Sequence, residues 1–193
     1  MVKPSPTEFL DLMLRVQHRV FVGSGKPYNL NIVGFRNPTS RPNYFDDTIA
    51  VYFKTGAAWT AKYYAATTYP GTPALLNPIN RKGAAILVPG QYIGAYKLGE
   101  HKGKYLALVQ DKPVQVYRDN DRDSAFDKKA ETVESGLFGI NIHRASRMNK
   151  WVGMSSAGCQ VIQQPEDYSE FMNLCKASAL RWGNSFTYTL IEL

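Results

Sequence analysis

Two residues in this chain have the types and the spacing for nucleophilic chemistry. Cys159 stands in Ser156-Ala157-Gly158-Cys159, sixteen positions after His143, which closes the strand-like run Phe138-Gly139-Ile140-Asn141-Ile142-His143. A thiolate is the nucleophile of cysteine chemistry, and an imidazole beside it can take the thiol proton and later hand it to a leaving amine. Side chains alternate along a strand, so Phe138, Ile140 and Ile142 can face a core while Asn141 and His143 point the other way. If the return strand at 158–162 pairs beside 138–143, Cys159 comes near His143. Gly158 lets a backbone approach a substrate carbonyl, and the Cys159 amide can help hold the oxyanion. The same residues have a plain reading, a strand-end histidine and a small buried cysteine, and spacing alone does not choose between the two.

The elements that must position this pair are mostly short strands. Ser5-Pro6-Thr7-Glu8 is a capping box with proline at the first helical position, and Phe9, Leu12, Met13, Val16 and Val20 then repeat at helical spacing. This predicts an amphipathic helix within residues 1–22, packed on a β core. From Tyr28 the period changes to two: Leu30 and Ile32 alternate with Asn29 and Asn31, and Ile49, Val51 and Phe53 alternate with Ala50, Tyr52 and Lys54. Thr55-Gly56 marks a turn before an aromatic strand at 59–64. Further strands are predicted at 85–88, 92–97, 105–110, 114–117, 138–143, 158–162 and 186–192, with a polar loop at 144–155 and a second helix from Pro165 through Ala177. The pattern predicts a mainly β, β-rich α+β domain, predominantly antiparallel, with one helix near each end.

Composition sets wide bounds. The 193 residues suit one domain over 1–193, with 44% hydrophobic and 20% charged residues. A formal charge of +7 is spread along the chain and favours anionic polymers, whether nucleic acid, acidic lipid or bacterial wall material. The aromatics fall mainly in strand patterns, and no nucleic-acid-binding motif appears, so no nucleic-acid partner is expected. The two cysteines do not form a disulfide framework: Cys175 reads as a small buried hydrophobe on the second helix, and both are expected to be thiols. The first residues lack the features of a secretory signal, and no run reaches the length a membrane span needs. A monomer with no membrane partner is expected.

Other candidate features have plain readings. Asp119, Asp121 and Asp123 are spaced like the first half of a calcium loop, but Ser124 holds the glycine position and Ala130 the closing one. A solvated turn is favoured, calcium there would be structural, and the chemistry needs no cofactor or metal. His101, in Gly99-Glu100-His101-Lys102-Gly103, reads as a solvated hairpin-tip histidine, and His18 as a solvated residue on the first helix. Three scattered histidines provide no close pair for a zinc peptidase. Trp151, Tyr92 and Tyr96 can line a groove near the thiol or simply pack.

The runs Gly139-Ile140-Asn141-Ile142-His143 and Ser156-Ala157-Gly158-Cys159 resemble the signature of the L,D-transpeptidase (YkuD-like) family of peptidoglycan enzymes, a strand-end His followed by Ser/Thr-His-Gly-Cys. The hairpin at 49–63 leading to Ala66-Thr67-Thr68-Tyr69-Pro70-Gly71-Thr72 is similar to that family's strand pair and Thr/Pro/Gly segment. The resemblance implies a β-sandwich or barrel with Cys159 as nucleophile and His143 as general base and acid. It implies Gly158 and the Cys159 amide at the oxyanion, and substrate contacts from Ser156, Arg144 and Trp151. Arg144 stands where the family has a small residue whose carbonyl orients the histidine; its side chain is free to grip a carboxylate. Ala157 replaces the motif's second His, and Val161 stands where Arg or Asn often follows the Cys by two. Both departures point away from the usual donor specificity and toward hydrolysis of a stem-peptide bond, as an L,D-carboxypeptidase or endopeptidase. The implied partner is peptidoglycan or its muropeptides, reached after release or delivery in a virion, as by a phage lysin. A non-catalytic wall-binding or virion domain and a basic nucleic-acid-binding module are the alternatives.

Overall fold

Ser5 Oγ accepts the Glu8 N–H at 3.3 Å and the Glu8 carboxylate takes the Ser5 N–H at 2.7 Å, so the capping box opens helix α1 (Pro6–Arg15). The helix is shorter than its apolar repeat. Gln17 adopts a left-handed φ of 54°, which ends the helical turn, and His18 follows the helix instead of riding on it. These details come from a computed structural model that describes residues 2–23, 25–146 and 150–193. Residues 147–149 of the predicted loop at 144–155 lie outside the described residues, as does Met1.

The described strands are β1 (Asn31–Arg36), β2 (Asp47–Lys54), β3 (Trp59–Thr67), β4 (Ala84–Leu87), β5 (Gly90–His101), β6 (Tyr105–Gln110), β7 (Val114–Asp119), β8 (Glu134–Gly136), β9 (Ile142–Arg144), β10 (Gln160–Ile162) and β11 (Phe186–Glu192). A short helix α2 (Thr72–Leu76) precedes β4, and α3 (Pro165–Trp182) separates β10 from β11. Eight strands close into a ring in the order β1-β11-β5-β6-β9-β10-β3-β2, and β4-β7-β8 form a small second sheet. The fold is therefore mainly β with two principal helices, as the sequence predicts.

The ring is predominantly antiparallel, as expected, but it is mixed, with two parallel pairs. β1 pairs with β11 and β9 with β10 in parallel, because in both cases the chain returns through a long connection instead of a hairpin. Several strand bounds also shift, two of them at the cysteine and histidine segments. Residues 138–140 are not strand: Gly139 takes φ 71°, and the Gln110 side-chain oxygen accepts the N–H groups of Phe138 and Ile140, each at 3.0 Å, in place of a neighbouring strand. The return strand begins at Gln160, leaving Gly158 and Cys159 in the turn before it.

Strand β1 is buried on both faces. Ile32 joins Ile49, Val51, Tyr188 and Leu190 in the main core, which extends to Ala85, Leu87, Val114 and Val116 of the small sheet and to Phe171, Met172 and Cys175 of α3. Val33 and Phe35 point the other way and pack with Ala50 and Tyr52 under Phe9 and Met13 of α1. Phe9 stacks on Tyr52 with 4.1 Å between centroids, so α1 covers what would otherwise be an exposed apolar sheet face. Cys175 is fully buried and both cysteines are free thiols.

A buried polar cluster fixes the 67–72 segment beneath the site. Arg36, fully buried, donates to Thr68 Oγ1, Thr68 O and Leu87 O, each at 2.9 Å. Asp47 accepts from the Thr68 N–H and hydroxyl at 2.8 and 2.7 Å, so Thr68 is held from both sides. Gly71 N–H then donates to Ser156 O at 3.0 Å, joining this segment to the turn that carries Cys159.

Candidate active site

Parallel pairing of β9 with β10 sets Gln160 opposite Ile142 and Val161 opposite His143. Cys159, one step earlier, therefore falls beside Asn141, whose backbone N–H points at Sγ at 3.5 Å. The thiol donates to Gly139 O at 3.3 Å. Among the described residues no hydrogen bond joins Cys159 to His143, but both line one cavity of about 660 Å³, together with His101, Lys102, Asn141 and Ala157.

The turn before Cys159 is built by its own side chains. Buried Ser156 accepts the Gly158 N–H at 3.1 Å and donates to Cys159 O at 2.8 Å. Gln160, also buried, donates from Nε2 to Gly158 O at 3.3 Å and accepts the Tyr188 hydroxyl at 2.9 Å. The Tyr188 hydroxyl has room only because residue 34 is glycine: a Cβ there would lie 1.9 Å from it. Gly158 itself is required by its φ of 127° and by Ala85 O, 2.5 Å from where a Cβ would be. The close neighbour at Gly158 is thus β4, where the sequence suggests a substrate carbonyl. Among the described residues the Cys159 amide has no acceptor, which leaves it open to an oxyanion.

His143 is held through Nδ1, which donates to Arg144 O at 2.7 Å and has the Tyr105 hydroxyl at 3.2 Å. That bond puts the proton on Nδ1 and leaves the Nε2 lone pair free as a base. Burial drives the His143 pKa down to about 3, helped by His101, Lys102 and Arg144, while the Arg144 carbonyl pulls the other way. Burial pushes the Cys159 thiol up, opposed by the Asn141 N–H and by Lys102. The resting pair is a neutral thiol and a neutral imidazole, not a preformed ion pair.

His101 departs most from its sequence reading. It sits at the end of β5, at the hairpin tip as predicted, but it is only 6% exposed and its ring stacks on His143, 4.0 Å between centroids. The strand runs four residues beyond the end of the predicted 92–97 and so carries His101 into the cavity wall. Two of the three scattered histidines are thereby neighbours, against the expectation that none would pair. Among the described residues no three His, Cys, Asp or Glu side chains gather as a metal site.

The other predicted contacts are spent elsewhere or sit apart. The Arg144 guanidinium lies over the Tyr105 ring at 4.5 Å, while its carbonyl accepts from His143 Nδ1. Trp151 packs edge-on against Tyr44 at 4.6 Å, outside the cavity lining. Tyr96 is fully buried against Tyr188, and Tyr92 donates to Val88 O at 2.6 Å, so neither forms a groove at the thiol. Val161 is buried in the ring, opposite Thr67 of β3 as well as His143. At 119–127, Asp119 accepts the Asp127 N–H at 2.9 Å and Asp123 the Ala125 N–H at 2.6 Å, closing the loop on itself; Asp119 is buried within it, not in a solvated turn.

Sequence reasoning missed the charge of the cavity. Among the described residues its lining includes Lys102 and Arg118 and no carboxylate, while exposed Ile79, Leu137 and Met154 contribute apolar surface. Arg118 is paired with Glu134 at 2.9 Å, while Lys102 disfavours a positive charge on both histidines. Such a cavity favours an anionic group. Comparison with protein-family models, curated proteins and solved structures finds no match for this chain.

Proposed function

We propose that the protein is a cysteine-dependent acyl-transfer enzyme of the L,D-transpeptidase (YkuD-like) kind, acting on peptidoglycan stem peptides and favouring hydrolysis. One observation carries this reading: His143 is locked by the carbonyl of the residue that follows it, at 2.7 Å, in the same cavity as Cys159. A histidine oriented in this way is what the family resemblance implies, and the mainly β framework agrees with it. The positive cavity fits the carboxylates of stem peptides.

In the proposed reaction the Cys159 thiol passes its proton to His143 Nε2 as sulfur attacks the peptide carbonyl. The C–S bond forms, the carbonyl electron pair moves onto oxygen, and the open Cys159 amide supports that charge. When the carbonyl re-forms, the C–N bond breaks and the amine leaves with the proton from His143. Water or an acceptor amine then resolves the thioester. Ala157, in place of the motif's second histidine, and buried Val161 remove the usual donor contacts and favour water.

Mass analysis of purified peptidoglycan and muropeptides after treatment with wild type and Cys159→Ala tests this. Loss of a terminal residue, cleavage of a cross-link or exchange of an amine by wild type alone is expected, and unchanged masses with both would end the proposal. A second reading, a non-catalytic domain of the same kind, draws on the thiol's bond to Gly139 O instead of His143. It predicts an unreactive Cys159.

A further inference from the structure

His101 has a proton position that the surrounding hydrogen bonds dictate. The Gln110 backbone N–H donates to Asn141 Oδ1 at 2.9 Å, which fixes the orientation of that amide. Asn141 Nδ2 must then donate to His101 Nδ1, 3.0 Å away, so His101 Nδ1 is an acceptor and the ring proton resides on Nε2. Stacked on it at 4.0 Å, His143 has the opposite arrangement, with its proton on Nδ1 and its lone pair on Nε2. Both rings line the Cys159 cavity, and the hydrogen bonds described for each ring run through Nδ1. The structure thus holds two neutral imidazoles side by side, one offering a lone pair and the other an N–H.

We infer that His101 is a second catalytic histidine, a neutral N–H donor to the oxygen of the carbonyl that Cys159 attacks. This rests on the acyl-transfer reading above. As sulfur bonds to the carbonyl carbon and the electron pair moves onto oxygen, His101 Nε2–H strengthens its hydrogen bond to that oxygen without giving up the proton. The proton from the thiol travels only through His143. A neutral imidazole acting as electrophile is an established device, and it works here because Asn141 denies Nδ1 a second proton. Protonation at Nδ1 would turn an N–H toward the Asn141 NH₂ group. The hairpin histidine supplies a polar hydrogen where Ala157 supplies none.

Two acylation-free and acylation-dependent measurements test this. Nitrogen-15 NMR of the wild type at pH 7 is expected to give the Nε2–H tautomer for His101 and the Nδ1–H tautomer for His143. An Nδ1–H or doubly protonated His101 would overturn the inference, even if every variant failed to fold. Cys159 acylation by p-nitrophenyl acetate, followed as the burst of nitrophenolate, needs an oxyanion, whereas alkylation by iodoacetamide does not. His101→Ala is expected to slow acylation on the order of 100-fold, with alkylation at the same pH changed less than about threefold, and His101→Gln to restore much of the loss. Cys159-dependent acylation that His101→Ala leaves intact would overturn the role of His101 and spare the acyl-transfer reading. No Cys159-dependent acylation in wild type would overturn both.

Discussion

The imidazoles of His101 and His143 lie face to face, 4.0 Å between centroids and 24° apart in plane, at the wall of the cavity that holds Cys159. A charge on either ring would repel a charge on the other inside a buried site. The pair is therefore stable as two neutral rings, and acid is its natural adversary.

This gives an acid-stability prediction. His143 has a folded-state pKa of about 3, below the roughly 6.5 of an unfolded histidine. Its contribution to stability is complete above pH about 6.5, and it is lost as pH falls from there toward 3, because the unfolded chain binds the proton first. Urea unfolding at pH 7, 5 and 4 should show His143→Gln losing stability less steeply than wild type, by about 1.4 kcal/mol per pH unit. Parallel curves for the two proteins would refute the buried neutral imidazole.

The thiol should behave as a thiol. With Cys159 pushed up and His143 pushed down, the alkylation rate with iodoacetamide is expected to climb about tenfold per pH unit from 6 to 8.5. A plateau below pH 7 would instead report a thiolate–imidazolium pair and contradict the general-base assignment.

Gly158→Ala should be strongly destabilising. The new Cβ meets Ala85 O at 2.5 Å on a backbone with φ 127°, so either β4 or the turn must move. A loss of about 2–4 kcal/mol is expected in urea unfolding, together with loss of Cys159 reactivity. Wild-type stability in this variant would mean that the close approach of β4 is not what selects glycine.

The buried arginine makes a separate test of the scaffold. Arg36→Met removes the donors to Thr68 and Leu87 and the cation near Asp47, whose carboxyl burial already pushes up. A loss of about 3–5 kcal/mol is expected at pH 7, with partial recovery when Asp47→Asn is added. Equal stability of Arg36→Met and wild type by chemical unfolding would show that the cluster does not hold the 67–72 segment.

What could be read from the sequence was local. Ser5 and Glu8 cap α1 through bonds three residues apart, and β6 and β11 keep the bounds predicted at 105–110 and 186–192. The return of the chain beside the strand of His143 was also legible, from a glycine-bearing turn and an apolar run. The rest depends on distant contacts. Gly158 answers to Ala85 O, the residues before β9 bond to the Gln110 side chain, and His101 looks solvated until β5 carries it onto His143. Arg144 keeps its carbonyl role while its side chain goes to Tyr105, a ring on another strand. None of these partners is near in sequence, so no periodicity or spacing reveals them.

The central claim is a thioester on Cys159, and the most direct measurement is its capture. Wild type mixed with purified muropeptides, quenched in acid and digested should yield the Cys159 peptide carrying an acyl adduct that hydroxylamine removes and Cys159→Ala never forms. An unmodified Cys159 together with muropeptides of unchanged mass would contradict the account.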